Sequence, residues 1–280
     1  MLSDLYTTAM HRLISLPLVM AVAVSASCQT SRDTVDVLFI GNSYIYFNNL
    51  PAMVEGISMA LDGPVVRGVA HTHGGMMLEE HVEDGHVDSL LEAGPADGTW
   101  ERVILQEQST LGARFREGPG ALGSPEAFHT ATRELASRIR AVDADPALFM
   151  TWAKEAFPDQ IEPLSRAYLS IGSELDLDVA KVGEAWAEVR RLRPEFSLYT
   201  RDGSHPNAAG SYLAACVIYA MLTGESPLGA PTELRGAPWN RSGVVESSAR
   251  SLLVSLSASD AEFLQEVAAE VAGVQPREAR

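Results

Sequence analysis

Short apolar runs alternate along the chain with longer segments in which apolar side chains recur every three or four positions. The runs lie at residues 35–40, 65–70, 102–105, 147–152 and 178–182. Each run is typical of a buried β-strand, and the segments between them are typical of amphipathic helices. Strands that alternate with helices form parallel sheets with helices on both faces, so the pattern predicts an α/β protein with three layers.

The predicted helices begin and end at recognisable signals. Asn49 before Pro51 and Asn207 before an apolar segment are N-cap residues in this pattern. The helices are expected at residues 51–61, 76–91, 125–142, 160–174, 183–192, 208–222 and 259–272. Residues 111–124 are rich in glycine and form a long predicted loop beside a strand end, which is a frequent position for functional loops.

Composition and charge narrow the class of protein. A chain of 280 residues with 46 % hydrophobic residues can bury a full core, so we expect one domain at residues 34–225 and a helical extension at residues 226–280 packed on it. The net charge of −16 argues against a nucleic-acid partner, which requires clustered lysine and arginine. No pattern in the sequence indicates an oligomeric state.

The N-terminal segment has the pattern of an export signal. An apolar stretch at residues 13–24 follows His11-Arg12 and precedes small residues and Cys28, so residues 1–27 are expected to be a signal peptide. Cys28 is either lipidated, which would anchor the protein to a membrane, or simply follows the cleavage site. The protein is therefore expected in the periplasm or cell envelope, or secreted. Cys216 lies in an apolar helix and is expected to be a buried thiol.

Polar residues follow three of the predicted strands. Ser43 follows the first strand, residues 71–75 follow the second, and residues 106–109 follow the third. Parallel strands end at the same edge of a sheet, and the later loop from Asp202 to His205 can reach that edge. A hydroxyl, an imidazole, a carboxylate and several N–H donors at one edge are the groups of a serine hydrolase.

These motifs resemble those of the SGNH (GDSL-type) hydrolase superfamily. The resemblance rests on Gly41-Asn42-Ser43 after an apolar strand, on a glycine pair after a second strand, and on Asp-x-x-His-Pro at residues 202–206. It covers residues 35–224 and points to a bacterial branch in which the usual Gly-Asp-Ser is Gly-Asn-Ser. The resemblance implies a three-layer α/β/α, flavodoxin-like parallel sheet.

The resemblance also implies roles for individual residues. Ser43 would be the nucleophile, His205 the general base and then acid, and Asp202 the carboxylate that orients His205. The oxyanion would be bound by the N–H groups of Ser43 and Gly75, with Gly74 as the alternative glycine.

The third motif departs from the family pattern. Where the family has Gly-x-Asn, this chain has Gln106-Glu107-Gln108. The third oxyanion donor is therefore expected from Gln108, with Gln106 as the alternative. Asn42 and Trp152 are further expected near the substrate pocket, although Asn42 also suits a turn and Trp152 also suits the core.

A cluster of histidines offers a different interpretation. His71, His73, His81 and His86 are close in sequence, and His-x-His can chelate a metal. In an extended strand, however, His71 and His73 would point to opposite faces. We therefore expect solvated histidines, no metal and no cofactor.

The sequence thus predicts an exported serine esterase that forms an acyl-enzyme on Ser43. Its substrate is expected to be a carbohydrate or another small molecule that carries an O-acyl group, such as acetyl. The alternative is a glycan-binding surface lipoprotein that keeps the fold and has weak or no catalytic activity, a hypothesis motivated by the altered third motif.

Overall fold

The structure is a computed structural model, and it describes residues 32–96, 98–111, 123–239 and 249–275. The predicted signal peptide at residues 1–27 and the predicted lipidation site, Cys28, lie outside the described residues. Most of the predicted loop at residues 111–124 also lies outside them.

Within the described ranges, a parallel sheet of five strands forms the centre of the fold. Its order is β2-β1-β3-β4-β5. The strands are β1 (Thr34–Gly41), β2 (Val65–Thr72), β3 (Arg102–Leu105), β4 (Asp145–Phe149) and β5 (Asp178–Ala180). The strand order reverses direction between β1 and β3, and a flavodoxin-like sheet binds its ligand in the crevice at such a point.

Helices cover both faces of this sheet. They are α1 (Ser43–Tyr46), α2 (Leu50–Ala60), α3 (Leu78–Glu83), α4 (Gly85–Ala93), α5 (Pro125–Ala141), α6 (Ile161–Leu175), α7 (Val182–Leu192), α8 (Ala208–Thr223) and α9 (Ala258–Ala272). Side chains of β1 alternate between two cores. Val37 and Phe39 pack with α2, α7, α8 and α9, whereas Leu38 and Ile40 pack with α3, α4, α5 and α6. This alternation produces the three layers that the sequence predicted.

Two local predictions were wrong. The segment expected as one helix at residues 76–91 is two helices, because Asp84 ends α3 and its Oδ1 accepts the N–H of His86 at the start of α4. The extension at residues 226–280 is not wholly helical. Besides α9, it contains an antiparallel pair of strands, β6 (Glu233–Gly236) and β7 (Ser251–Ser255).

The C-terminal helix belongs to the main body of the fold. Leu264, Val267 and Ala268 of α9 are buried in the core that also contains α2, α7 and α8. None of the helices in the described ranges combines the length and the apolar character needed to cross a membrane.

Candidate active site

Ser43 lies where the buried strand β1 ends. Asn42, in an extended conformation, caps the short helix α1, and Ser43 is the first residue of that helix. The N–H of a residue in the first turn of a helix has no acceptor within the helix, so the N–H of Ser43 is available to a ligand. The strand therefore delivers both a hydroxyl and a backbone donor to the sheet edge.

A chain of two hydrogen bonds joins Ser43, His205 and Asp202. His205 Nε2 lies 2.9 Å from Ser43 Oγ, and His205 Nδ1 lies 2.5 Å from Asp202 Oδ2. A carboxylate accepts hydrogen bonds, so Nδ1 carries the proton and Nε2 is free to accept the proton of the hydroxyl. This is the arrangement of a nucleophile, a base and an orienting carboxylate.

Asp202 organises the loop that carries His205. Its Oδ1 accepts hydrogen bonds from the Thr200 hydroxyl at 2.9 Å, from the Ser204 N–H at 2.8 Å and from the His205 N–H at 2.9 Å. Burial raises the pKa of Asp202, but the hydrogen bonds from His205, Ser204 and Thr200 outweigh it and hold this pKa well below its ordinary value. The carboxylate that faces the imidazole is therefore ionised at neutral pH.

Aromatic rings support the imidazole of His205. The ring of Phe47 stacks on it with centroids 4.3 Å apart, and the ring of Tyr44 meets it edge-on at 5.7 Å. The Tyr44 hydroxyl lies 2.8 Å from Ser204 Oγ, in the loop of His205. Tyr44 lies in α1 and Phe47 directly follows it, and this short helix was not predicted.

Trp152, expected either near the substrate pocket or in the core, lies in the core. The side chain is fully buried, stacked between Tyr44 at 4.3 Å and Trp186 at 3.9 Å. Its Nε1–H donates to the Ser204 carbonyl at 3.0 Å. The two stacked rings hold Trp152 in the core, and its hydrogen bond to Ser204 supports the loop that carries His205.

Asn42 also lies away from the pocket surface, with 2 % of its area exposed. Its backbone N–H donates to Gln106 Oε1 at 2.9 Å, its Nδ2 donates to the Met76 carbonyl at 3.0 Å, and its Oδ1 accepts the Tyr44 N–H. Asn42 thus ties the turn before Ser43 to the loops that follow β2 and β3. The sequence indicated that Asn42 could stabilise the turn, and the structure agrees. A residue this deeply buried does not line the substrate pocket.

The loop after β2 turns tightly at the glycine pair. Gly75 has a φ of +73°, which L side chains rarely adopt, and the Met76 N–H donates to the His73 carbonyl across the turn. No atom lies within 4 Å of the place where a Cβ would stand on Gly75, whereas a Cβ on Gly74 would lie 3.2 Å from the Tyr46 hydroxyl. Gly75 is therefore the more open of the two oxyanion candidates.

The two glutamines after β3 have different surroundings. Gln106 is fully buried, and its Nε2 donates to the Glu107 carbonyl while its Oε1 holds Asn42. A Cβ on Gly41 would lie 2.6 Å from this Oε1 and 2.9 Å from Gln106 Cβ, so a larger residue at the strand end would displace Gln106. Gln108 is half-buried, and its Oε1 accepts from the backbone and hydroxyl of Thr110. Its Nε2 has no protein partner among the described residues, whereas that of Gln106 donates to a carbonyl, so Gln108 is the better candidate for an oxyanion donor.

Glu107, between them, is a buried acid that the sequence did not single out. Its Oε1 accepts the Gln108 N–H at 2.5 Å and its Oε2 accepts the Leu78 N–H at 3.2 Å. Burial raises its pKa to about 7, which these two hydrogen bonds only partly oppose, and the charges of Glu79 and Glu80 raise it further. Glu107 thereby joins the loop after β3 to the start of α3.

Of the four histidines expected in solvent, His73 and His86 are exposed, His71 is half-buried, and His81 is buried. His73 lies just beyond β2, and its ring meets that of His71 edge-on at 5.1 Å, so the alternation of a strand does not separate them. His81 is fully buried, and its Nε2 donates to the Gly41 carbonyl at 2.9 Å. Burial lowers the pKa of His81 to about 4, despite this hydrogen bond. His71, His81 and Asp84 form a group that could hold a metal ion.

A groove opens beside His205. It has a volume of about 590 Å³ and is lined by Tyr46, Phe47, Thr200, Arg201, Asp202 and His205. This size is within the range of small-molecule sites, and the two aromatic rings provide an apolar wall.

No protein-family model matches the sequence, and no curated protein matches it significantly. Solved structures do match. A DUF4886 family protein from Bacteroides uniformis has a TM-score of 0.62 and 18 % identity, over 88 % of this chain and 98 % of that protein. Protein YxiM from Bacillus subtilis has a TM-score of 0.51 and 18 % identity, over 68 % of this chain and 56 % of that protein. TesA has a TM-score of 0.50 and 16 % identity, over 67 % of this chain and 97 % of TesA.

At these identities the likenesses establish the fold. The chain has the three-layer α/β/α fold of the SGNH (GDSL-type) hydrolases, as its motifs predicted.

Proposed function

We propose that this protein is a serine hydrolase that cleaves ester bonds through an acyl-enzyme on Ser43. The observation that carries the proposal is the hydrogen-bonded series Ser43–His205–Asp202 beside an open groove. A serine that touches an imidazole, itself oriented by a carboxylate, is the arrangement that activates a hydroxyl as a nucleophile. The fold, which places these groups at the switch point of the sheet, supports the same proposal.

In the first half of the reaction Ser43 Oγ attacks the ester carbonyl, and His205 Nε2 takes the hydroxyl proton. The imidazolium that forms is stabilised by the ionised Asp202. The negative charge on the former carbonyl oxygen is bound by the N–H groups of Ser43 and Gly75 and by the Gln108 amide. When the carbon–oxygen bond of the ester breaks, His205 gives its proton to the leaving alcohol.

In the second half a water molecule attacks the acyl-enzyme. His205 takes a proton from the water and returns it to Ser43 Oγ as the bond between the acyl carbon and Ser43 breaks. The products are the free acid and the regenerated serine, and the same oxyanion donors act in both halves.

The proposed substrate is a carbohydrate or another small molecule with a short O-acyl group such as acetyl. A groove of about 590 Å³ holds a short acyl group together with one sugar-sized alcohol. The rings of Tyr46 and Phe47 offer apolar faces on which a pyranose ring can lie. The predicted signal peptide and Cys28 support an exported protein that meets such esters outside the cytoplasm.

Fluorophosphonate labelling tests the nucleophile. The wild-type protein should be labelled at Ser43 and should hydrolyse aryl acetates, and Ser43→Ala should abolish both. Ser173→Ala, which removes an exposed hydroxyl on α6, is the matched control and should behave as the wild type does. Aryl acetate hydrolysis that survives in Ser43→Ala would overturn the assignment. A folded wild-type protein that is neither labelled nor active, yet binds glycans, would favour the non-catalytic alternative.

Acetate release tests the substrate class. The wild-type protein should release acetate from acetylated mono- and oligosaccharides, and aryl esters should be hydrolysed more slowly as the acyl chain grows from acetate to octanoate. Faster hydrolysis of the octanoate ester would contradict the short-acyl proposal while leaving the nucleophile assignment intact.

A further inference from the structure

A second cluster of reactive side chains lies near the C-terminal ends of β1 and β2. His71 is in β2, His81 is on α3, and Asp84 lies between α3 and α4. One ring nitrogen from each histidine and one carboxylate oxygen of Asp84 lie within 4.8 Å of one another. We propose that His71, His81 and Asp84 bind a divalent transition-metal ion of the zinc class. The proposal stands independently of the proposed ester hydrolysis, which assigns these three residues no role.

The protonation state of His81 is fixed by its surroundings. Its Nε2 lies 2.9 Å from the Gly41 carbonyl oxygen, and a carbonyl can only accept a hydrogen bond. Nε2 therefore carries the proton, and in the neutral ring Nδ1 carries a free lone pair. A histidine that ligates a metal characteristically donates its other ring N–H to a carbonyl or carboxylate in this way.

The lone pair on His81 Nδ1 has no protein partner among the described residues. The side chain is fully buried, and Nδ1 is one of its polar atoms without a hydrogen bond. An unpaired buried acceptor is destabilising, because it has given up its hydrogen bond to water, so such an atom requires an explanation. The His71 ring lies close by, with its centroid 5.5 Å from that of His81. A cation between these two rings would provide the missing partner.

Asp84 supplies the negative charge of the site. Its Oδ2 lies 2.6 Å from His71 Nε2, and its Oδ1 accepts from the backbone N–H and Nδ1 of His86. Burial raises the pKa of Asp84, but its hydrogen bonds to His86 and His71 hold this pKa well below its ordinary value. These hydrogen bonds provide partners for Asp84 and for His71 Nε2 without a metal, but they provide none for His81 Nδ1.

The ligand types indicate which ion fits. Imidazole nitrogens with one carboxylate suit zinc and the neighbouring transition metals, whereas calcium and magnesium prefer oxygen ligands. Ligand atoms around a four-coordinate zinc lie about 3.4 Å apart, so the present group would contract on binding. His73 lies outside this group, with its ring 5.1 Å from that of His71 and 6.4 Å from that of His81, so its side chain would have to move to supply a fourth ligand.

The position of the site gives the ion a structural role. His81 Nε2–H and the His73 backbone N–H both donate to the Gly41 carbonyl, and Gly41 directly precedes Asn42-Ser43. A bound ion would therefore hold β2, the start of the Gly74-Gly75 turn and α3 against the end of β1. We expect binding to stabilise this corner of the fold.

Metal titration of the full-length protein tests the proposal. After chelation and buffer exchange, Zn²⁺ should bind with one equivalent per chain by calorimetry and should raise the unfolding temperature, whereas Mg²⁺ and Ca²⁺ should do neither. Co²⁺ should produce the visible absorption bands of a four-coordinate ion. A folded wild-type protein that takes up no stoichiometric Zn²⁺ would overturn the proposal without need of any variant.

Variants locate the site. Asp84→Asn preserves the shape of a partly exposed side chain and should weaken Zn²⁺ binding by about tenfold or more, and His71→Ala should do the same. His129→Gln is the matched control, since His129 lies on α5 outside the cluster, and its Zn²⁺ affinity should equal that of the wild type. Equal affinity in His71→Ala and the wild type, or a loss in His129→Gln alone, would contradict the assignment. Fluorophosphonate labelling of Ser43 in the metal-free protein separates this outcome from a failure of the proposed hydrolase function.

Discussion

The ring of Phe47 lies almost parallel to the imidazole of His205, with centroids 4.3 Å apart and planes inclined by 15°. Asp202 fixes the imidazole at Nδ1, but a single hydrogen bond permits rotation about its axis. The stacked ring restricts that rotation and keeps Nε2 directed at Ser43. Phe47 is therefore expected to position the base without touching the reacting atoms.

Replacing Phe47 tests this positioning. Phe47→Ala should lower kcat for an aryl acetate by about tenfold, because a misdirected base loses part of the 10²–10⁴-fold that general base catalysis contributes. Phe47→Tyr keeps the stacked ring and should retain most of the activity. Equal activity in Phe47→Ala and the wild type would show that the hydrogen bond to Asp202 is sufficient.

Asp202→Asn tests the orienting carboxylate. An amide that donates to Nδ1 would stabilise the wrong tautomer, so kcat should fall by about 10³–10⁴-fold with the fold intact by circular dichroism. Because hydrogen bonds hold the pKa of Asp202 below its ordinary value, the wild-type carboxylate stays ionised between about pH 5 and pH 8. A loss smaller than tenfold would contradict the assigned role.

The two glutamines after β3 should give opposite phenotypes. Gln108→Ala removes an amide whose Nε2 has no partner among the described residues, and it should lower kcat by about 10²–10³-fold with little change in stability. Gln106→Ala removes the acceptor of the Asn42 N–H and should cost about 1–3 kcal/mol in the free energy of unfolding. Urea unfolding and aryl acetate kinetics on both variants distinguish these effects. A catalytic loss confined to Gln106→Ala, at unchanged stability, would transfer the donor role to Gln106.

Glu107 should make stability depend on pH. Its pKa is 4.5 ordinarily and about 7 in the folded protein, so between these values the folded state binds more protons than the unfolded state. The contribution of protonated Glu107 to the free energy of unfolding is fully present below pH 4.5, and it is lost as the pH rises through 7. A pKa change of this size corresponds to a loss of about 3 kcal/mol.

Glu107→Gln isolates this contribution. The variant leaves the N–H of Leu78 or Gln108 without an acceptor, so it should be less stable than the wild type at pH 5. The neutral amide does not titrate, so this difference should shrink as the pH rises to 8. Urea unfolding of both proteins at pH 5 and at pH 8 measures the difference between their free energies of unfolding. Titratable groups that the two proteins share contribute equally to both and cancel. A gap that is independent of pH would contradict the raised pKa.

The central strands were predictable because they are buried on both faces. Apolar runs such as residues 37–40 and 103–105 identify central parallel strands, and the cap residues Asn49 and Asn207 identify helix starts. The antiparallel pair of β6 and β7 was missed because its strands are only four and five residues long, too short for an alternating pattern to stand out in the sequence. The break at Asp84 was missed because the apolar spacing continues across it.

The site was predictable to the extent that its residues belong to short local motifs. Asp202 and His205 are in one loop, and Ser43 follows a strand whose direction is fixed by its neighbours. Contacts between distant segments carry no such signal. The stacking of Trp152 between Tyr44 and Trp186 and the hydrogen bond from His81 to Gly41 arise from packing between elements that are distant in sequence, and no spacing along the chain predicts them.

Asn42 uses both halves of its side-chain amide, one to cap α1 and the other to hold the Met76 carbonyl. An aspartate at this position could perform the first task but would oppose the second, because two oxygen acceptors would face each other. The choice of Asn rather than Asp before Ser43 therefore depends on the loop after β2. In this chain that loop directs the Met76 carbonyl at residue 42, and only an amide can donate to it. A change at residue 42 therefore requires a matching change in that loop. Asn42→Asp should be tolerated only alongside a second substitution that turns the Met76 carbonyl away.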